Sequence, residues 1–201
     1  MGDPFEGSVS KANIKLRPSV YQNKIPEKSL KQSSQFMEKI RYHTYLNCWH
    51  MNENESDAMW KLYAKNNTGI AIQSTYKNLV GVLNENDEVY IGAVNYIDYE
   101  KDWLPEGFTY WPFMHKQNSF KSENELRTIL QRFPNIRNGI SIDVPESVGI
   151  NIPIEIHDLI EDIYIAPTSP EWFYKLVNSI LDKYELQKKV IFSKLSEKPM
   201  Y

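Results

Sequence analysis

The run Glu123-Asn124-Glu125-Leu126-Arg127 holds the residue types in this chain best suited to chemistry. On a β-strand, residues two apart point to the same side, so Glu123, Glu125 and Arg127 would form one charged row. Taking such a row out of water is costly unless its members are paired or put to use. A charged row of this kind beside an aromatic lobe is the chain's leading candidate for catalysis. The same row equally suits a salt-bridged outer strand face in which Arg127 pairs with Glu125.

Other constellations are weaker. Cys48 and His50 share a predicted strand face, with His43 upstream, but the spacing matches no zinc pattern and no second Cys or His cluster follows. A packed cysteine and a hydrogen-bonded histidine are expected there, since two positions on one strand do not bring a Cys–His nucleophile pair into direct contact. Asp3, Glu6, Glu55, Glu123 and Glu125 form an acidic set that could hold a divalent ion for phosphodiester cleavage, with Lys61 or Arg127 on the phosphate. No clean carboxylate-plus-lysine nuclease spacing accompanies it, and Asp3-Pro4-Phe5-Glu6-Gly7 also reads as a turn folded over the core. The aromatic lobe from Trp103 to Phe113 suits a base-stacking platform or nucleotide lid, though for most of its rings a loop packed on the sheet is expected. Lys183, Lys188, Lys189, Lys194 and Lys198 read as a solvated face, with nucleic acid as the alternative.

Composition narrows the classes. A length of 201 residues fits one domain, taken here as 1–201. An apolar content of 41%, with 5 Trp and 13 Tyr, excludes a disordered chain. The net charge of −3 gives no bulk attraction for nucleic acid or anionic lipid. No run approaches the roughly 18 apolar residues of a membrane span, and the first residues are too polar for a secretory leader, so a cytoplasmic protein without membrane partners is expected. One cysteine, Cys48, excludes an internal disulfide and a multi-cysteine zinc module.

The elements that must position these residues follow from periodicity. Thr44–Met51 alternates as a strand, with Tyr45, Asn47, Trp49 and Met51 opposite Leu46, Cys48 and His50. Asn54 or Ser56 then caps a helix carrying Met59, Trp60, Leu62 and Tyr63, which ends at Asn66-Asn67-Thr68-Gly69. Gly69–Ile72 reads as a strand, and Ser74 or Thr75 caps a short helix carrying Leu79. Met1–Pro26 reads as loop with one short extended piece, and Glu27–Arg41 as a helix. Residues 84–87 are turn chemistry, and Glu88–Tyr99 alternates as one long strand. Lys101–Gln117 is an irregular lobe. Leu126–Arg132 fits strand and helix spacing alike. The Asn138-Gly139 pair before the alternation over 140–144 marks a hairpin and favours strand. Further strands are expected over Gly149–Ile156, Asp162–Ala166 and Lys189–Ser193. Between the last two lies a helix capped by Thr168 or Ser169, with Pro170 at its first position and a stripe of Phe173, Leu176, Val177, Ile180, Leu181 and Tyr184. The sum is an α+β fold with a mixed, largely antiparallel sheet and flanking helices. Neither a dinucleotide-binding glycine fingerprint nor a phosphate loop occurs.

Several segments together resemble the bacterial domain of unknown function 2971 family. They are Asp3-Pro4-Phe5-Glu6-Gly7, Cys48-Trp49-His50-Met51 with Glu55-Ser56 and Met59-Trp60-Lys61-Leu62-Tyr63, and Gly69-Ile70-Ala71-Ile72. Val94-Asn95-Tyr96, Phe120 to Arg127, Asp162 to Pro167 and Trp172-Phe173 continue the likeness over nearly the whole chain. Members of that family usually carry a further strand and helix before the first segment, so the resemblance implies that an N-terminal portion is lacking. The Glu-x-Glu pair is in addition similar to the glutamate motif of ADP-ribosyltransferases. That likeness implies an intracellular bacterial or phage enzyme using NAD to modify protein or nucleic acid. Glu125 would be its catalytic residue, with Glu123 activating or positioning the acceptor and Arg127 completing the row. Trp49, Trp60, Tyr63 and Trp111 would stack on the nucleotide, and His50, Asn52, Glu55 and Ser56 would contact it. The competing expectations are a metal-dependent nuclease of a defence system and a non-catalytic module that binds a nucleotide-like small molecule.

Overall fold

In the computed structural model, residues 3, 5–22, 24–83, 88–133 and 148–197 are described. Along the chain run α1 (Lys11–Val20), α2 (Glu27–Ile40), β1 (Thr44–His50), α3 (Asp57–Tyr63), β2 (Ile70–Ile72), α4 (Tyr76–Val82) and β3 (Val89–Ala93). There follow β4 (Asn95–Ile97), β5 (His115–Gln117), β6 (Glu125–Gln131), α5 (Ile156–Leu159), β7 (Asp162–Ile165), α6 (Glu171–Lys183) and β8 (Lys189–Phe192). The expected hairpin at Asn138-Gly139, the strand over 140–144, the turn over 84–87 and Lys198 lie outside the described residues.

The chain divides into two compact units, Met1–Met51 with Asp87–Asn151 and Asn52–Asn86 with Ile152–Tyr201. Length alone suggests one domain. A chain that leaves and re-enters each unit spreads each core over both halves of the sequence, and composition carries no mark of that.

In the first unit the sheet order is β1-β6-β3, and β6 is antiparallel to both neighbours. Thr44–His50 thus forms a strand as its alternation suggests, and Glu125–Gln131, whose spacing suits strand and helix alike, is a strand. The long strand expected over 88–99 is broken instead. Val94 N–H donates to the Glu125 carbonyl at 2.8 Å, the next residue's N–H donates to the Met114 carbonyl at 2.9 Å, and β4 departs to pair in parallel with β5. Period-two alternation continues through such a change of partner, so it does not reveal it. Gly92 permits the close approach of Met114, whose Cε would lie 2.6 Å from an added Cβ. Ile40, Tyr110, Phe113 and Ile129 form one core cluster, and Ile97, Tyr99 and Leu104 another.

α1 replaces the loop expected before Pro26. Its N-terminus is capped by Ser10, which accepts from Asn13 N–H, and its buried face is Ala12, Asn13 and Arg17 rather than an apolar stripe. Asn13 Nδ2 donates to the Leu104 carbonyl and to Glu106, and Arg17 Nε donates to the same Glu106 oxygen at 2.9 Å. Those polar contacts hold the loop after Tyr99 against the helix.

In the second unit the order is β2-β7-β8, antiparallel then parallel. α6 packs Val177 and Leu181 on Ile163 and Ile165, with Phe173, Tyr174, Val190 and Phe192 around them. Leu176, Ile180 and Tyr184, expected in the same stripe, are exposed. The α6 cap also differs: Pro170 is itself the N-cap residue, without a side-chain cap bond, so neither Thr168 nor Ser169 serves. The other caps follow the sequence, Ser56 accepting from Met59 N–H and Thr75 from Asn78 N–H. No strand occupies the described part of Gly149–Ile156; Ile156 opens α5.

The fold class is therefore α+β, with three antiparallel and two parallel pairings among the described strands. These pairings are spread over three sheets rather than one. No helix of the described residues is long and apolar enough to cross a membrane.

Candidate active site

Strand β6 carries the charged row into the first unit. Arg127 is 1% exposed and Glu125 6%, so the row is not an outer face. The pairing foreseen for an outer face does occur: Arg127 Nε donates to Glu125 Oε2 at 2.6 Å. Arg127 Nη1 donates to the Phe113 carbonyl at 2.6 Å, and Nη2 meets Glu6 charge to charge without hydrogen-bond alignment. The turn at Phe5–Gly7 brings Glu6 there, and Gly7 closes it at φ +75, where an added Cβ would lie 2.5 Å from the Phe113 ring.

Glu123 is not on the strand. It ends a 3-10 turn over Asn118–Glu123, and Asn124, in the left-handed region at φ 39, redirects the chain into β6. Asn124 also accepts from Met51 N–H through its carbonyl at 2.8 Å and donates from Nδ2 to the Met51 carbonyl. Asparagine tolerates this conformation better than other side chains with a Cβ. Glu123 still meets Glu125, because Lys116 of β5 stands between them. Its ammonium donates to Glu125 Oε1 at 2.8 Å and to Glu123 Oε2, and lies 4.7 Å from the Phe120 ring centroid. Lys116 escapes the sequence reading. The one available signal is a lone lysine in the aromatic stretch after Trp111, and nothing in spacing ties it to the glutamates.

The two carboxylates titrate differently. Desolvation pushes Glu123 above the ordinary carboxylate value, its hydrogen bond with Glu125 adds to this, and Lys116 opposes both. Desolvation also acts to raise Glu125, but hydrogen bonds from Glu123, Arg127 and Lys116 outweigh it and hold that carboxyl well below the ordinary range. Glu125 is thus the anion and Glu123 the member that keeps a proton longer. Tyr96 completes the wall, its hydroxyl oxygen accepting from Glu125 N–H at 3.0 Å.

Across the sheet, register sets His50 opposite Glu125 and Cys48 opposite Arg127, and directly opposed residues share a face. His50 Nδ1 lies 2.6 Å from the Glu123 carbonyl, which can only accept, so Nδ1 carries the proton. Nε2 is buried and without a hydrogen-bond partner among the described residues. Cys48 is exposed as a residue on an edge strand, yet its thiol is pushed up to about 12 by desolvation first and by Glu125 next. Such a thiol is a poor nucleophile near neutrality.

Trp49 alternates with His50 and opposes Leu126, so it lies on the other face of this sheet from Glu125. Asn52, Glu55, Ser56, Trp60 and Tyr63 belong to the second unit. There, Ser56 caps α3, Trp60 Nε1 donates to Glu55 at 3.1 Å, and Lys194 N–H donates to the other Glu55 oxygen at 2.9 Å. Tyr63 and Asn52 are exposed. The structure thus gathers Glu123, Glu125, Arg127 and His50 within the first unit, and Glu55, Ser56 and Trp60 within the second.

For a metal, no group of three or more His, Cys, Asp or Glu among the described residues is placed to hold an ion. Lys116 occupies the position between Glu123 and Glu125 that a cation would take. Lys61, offered for a phosphate, pairs with Asp57 at 2.6 Å. Compared with family models, curated proteins and solved structures, the chain matches none.

Proposed function

We propose that this chain, read as a member of the bacterial domain of unknown function 2971 family, is an ADP-ribosyltransferase-like enzyme acting on NAD. One observation carries the reading: two carboxylates tethered by one lysine are held in opposite protonation tendencies, with an unpartnered imidazole nitrogen beside them. Pairs of titratable groups pushed apart in this way suit acid–base work. The roles follow those the motif implies. Both Glu125 oxygens are engaged, so it supplies fixed negative charge toward a ribose carbon that becomes cationic as the bond to nicotinamide breaks. Glu123 is the less buried and the more basic of the two, and suits removal of a proton from the acceptor. In that step the glycosidic electron pair leaves on the nicotinamide nitrogen, the acceptor oxygen bonds to the ribose carbon, and its proton passes to the Glu123 carboxylate. Protein or nucleic acid would provide the acceptor.

The burial of Glu125 and the saturation of its oxygens favour a second reading, a non-catalytic module stabilised by this network. Nicotinamide release from NAD separates the two. Wild type is expected to turn over NAD, and Glu123→Gln to lower kcat by about 10²–10⁴ while the circular dichroism spectrum is kept. A wild-type chain that consumes no NAD with protein or nucleic-acid acceptors, or a Glu123→Gln variant as active as wild type, ends the enzyme proposal.

A further inference from the structure

Glu6, Arg127, Glu125, Lys116 and Glu123 form a chain of alternating charge in the first unit. Arg127 pairs with Glu6 and with Glu125, and Lys116 pairs with Glu125 and with Glu123. The three inner side chains are no more than 8% exposed, whereas the ends, Glu123 and Glu6, are 18% and 28% exposed.

Charge does not balance along this chain. Three carboxylates meet two cations, so one negative charge is in surplus when every member is ionised and none when one carboxyl holds a proton. Glu123 is the end that lies against another carboxylate, and desolvation and its hydrogen bond with Glu125 favour its protonated form. The groups facing it are Lys116 of β5 and Glu125 of β6, with Tyr96 of β4, whose hydroxyl feels the charge of both glutamates. His50 of β1 faces the Glu123 carbonyl. Lys116 is already committed to both glutamates and to the Phe120 ring, so further positive charge has to arrive with a ligand. The nicotinamide ring of NAD is such a cation, and its glycosidic bond ends at the ribose carbon that Glu125 and Glu123 would serve.

We propose, resting on the NAD reading above, that binding of the cationic ring drives the proton off Glu123, so that the base exists only while NAD occupies the site. A positive charge beside the pair favours the ionised carboxyl, and by reciprocity the ionised carboxyl binds the cation more tightly. Charge then closes through the cycle. Binding sends the Glu123 proton to water, which the partly exposed side chain can reach. As nicotinamide leaves, the glycosidic electron pair neutralises its ring, and the acceptor's proton passes to Glu123, which restores the resting charge. The proton lost on binding is the one that the overall transfer releases to solution.

The test is titration calorimetry of the full chain with an NAD analogue whose ribose ring oxygen is replaced by methylene, which keeps the ring charge and resists cleavage. Heats measured in buffers of differing ionisation enthalpy give the protons released. On the acid side of neutrality, wild type is expected to release up to about one proton per bound analogue, and its affinity to rise by up to about tenfold per pH unit. NADH, whose ring is neutral, should release none. Glu123→Gln should bind the analogue without release and without that pH dependence. Binding without release, equal release with NADH, or release that survives in Glu123→Gln overturns the proposal and leaves the NAD reading standing. A wild-type chain that does not bind the analogue overturns both.

Discussion

Lys116 sits where two carboxylates converge, and its charge helps decide which of them keeps a proton. Replacing one member of a buried ionic set leaves the others uncompensated, so the network constrains stability as well as chemistry. The signs can be worked through from the directions of the shifts. Glu125 is held below the ordinary carboxylate value of 4.5, so its stabilisation is present above that pH and is lost as pH falls through the depressed value. Glu123 is held above 4.5, so the folded chain binds its proton more tightly than the unfolded chain, and stability declines as pH rises through the raised value. The melting temperature is therefore expected to peak on the acid side of neutrality. Glu123→Gln should flatten the decline toward neutral pH, and Glu125→Gln should make the acid-side loss shallower while lowering stability near neutrality. Thermal melts between pH 3 and 8 check this. A profile that Glu123→Gln leaves unchanged would show that the burial of Glu123 has no energetic consequence.

At the scale of elements, the geometry of the pair depends on one backbone hinge. Asn124 holds a left-handed conformation between the 3-10 turn and β6, and both carboxylates take their direction from it. A β-branched residue there meets a steric cost of about 1–2 kcal/mol, whereas glycine does not. Asn124→Val is expected to lose that much stability by chemical denaturation and to lose NAD turnover with it, and Asn124→Gly to keep most of both. Equal turnover in the two variants would mean that the hinge does not place Glu123. The sequence makes part of this arrangement legible. Strand β1 announces itself by alternation, and α3 and α4 by their Ser56 and Thr75 caps, whereas the spacing in β6 suits strand and helix alike. What stays hidden has physical causes. The three-residue β5 is too short for a period to register, so Lys116 is invisible as a partner. α1 buries asparagine and arginine, and a search for apolar stripes passes over it. The row was expected to place Glu123 on the strand, but a left-handed residue breaks period two just before β6.

On the scale of the molecule, each unit closes its sheet with strands from distant parts of the chain. β1 waits for β6, and β2 waits for β7. Contacts of such sequence separation add loop-closure cost before they repay it, so neither sheet can form from one half of the chain alone. Periodicity along the sequence reports which residues want burial and is silent about which partners they find, which is why one sheet was expected. Each unit has a core cluster of its own: Ile129 packs with Ile40, Tyr110 and Phe113, and Ile165 with Ile160, Ile163, Val177, Leu181 and Leu186. Both isoleucines are fully buried, and truncating either to alanine removes packing worth about 2–5 kcal/mol. Native-state hydrogen exchange is expected to separate the two effects. Ile165→Ala should speed exchange in β2, β7 and β8 amides, and Ile129→Ala in β1, β3 and β6, because each cavity weakens the core those strands share. Acceleration spread evenly over all six strands by either substitution would mean that the chain unfolds as one cooperative body, and that the division into units has no counterpart in its energetics.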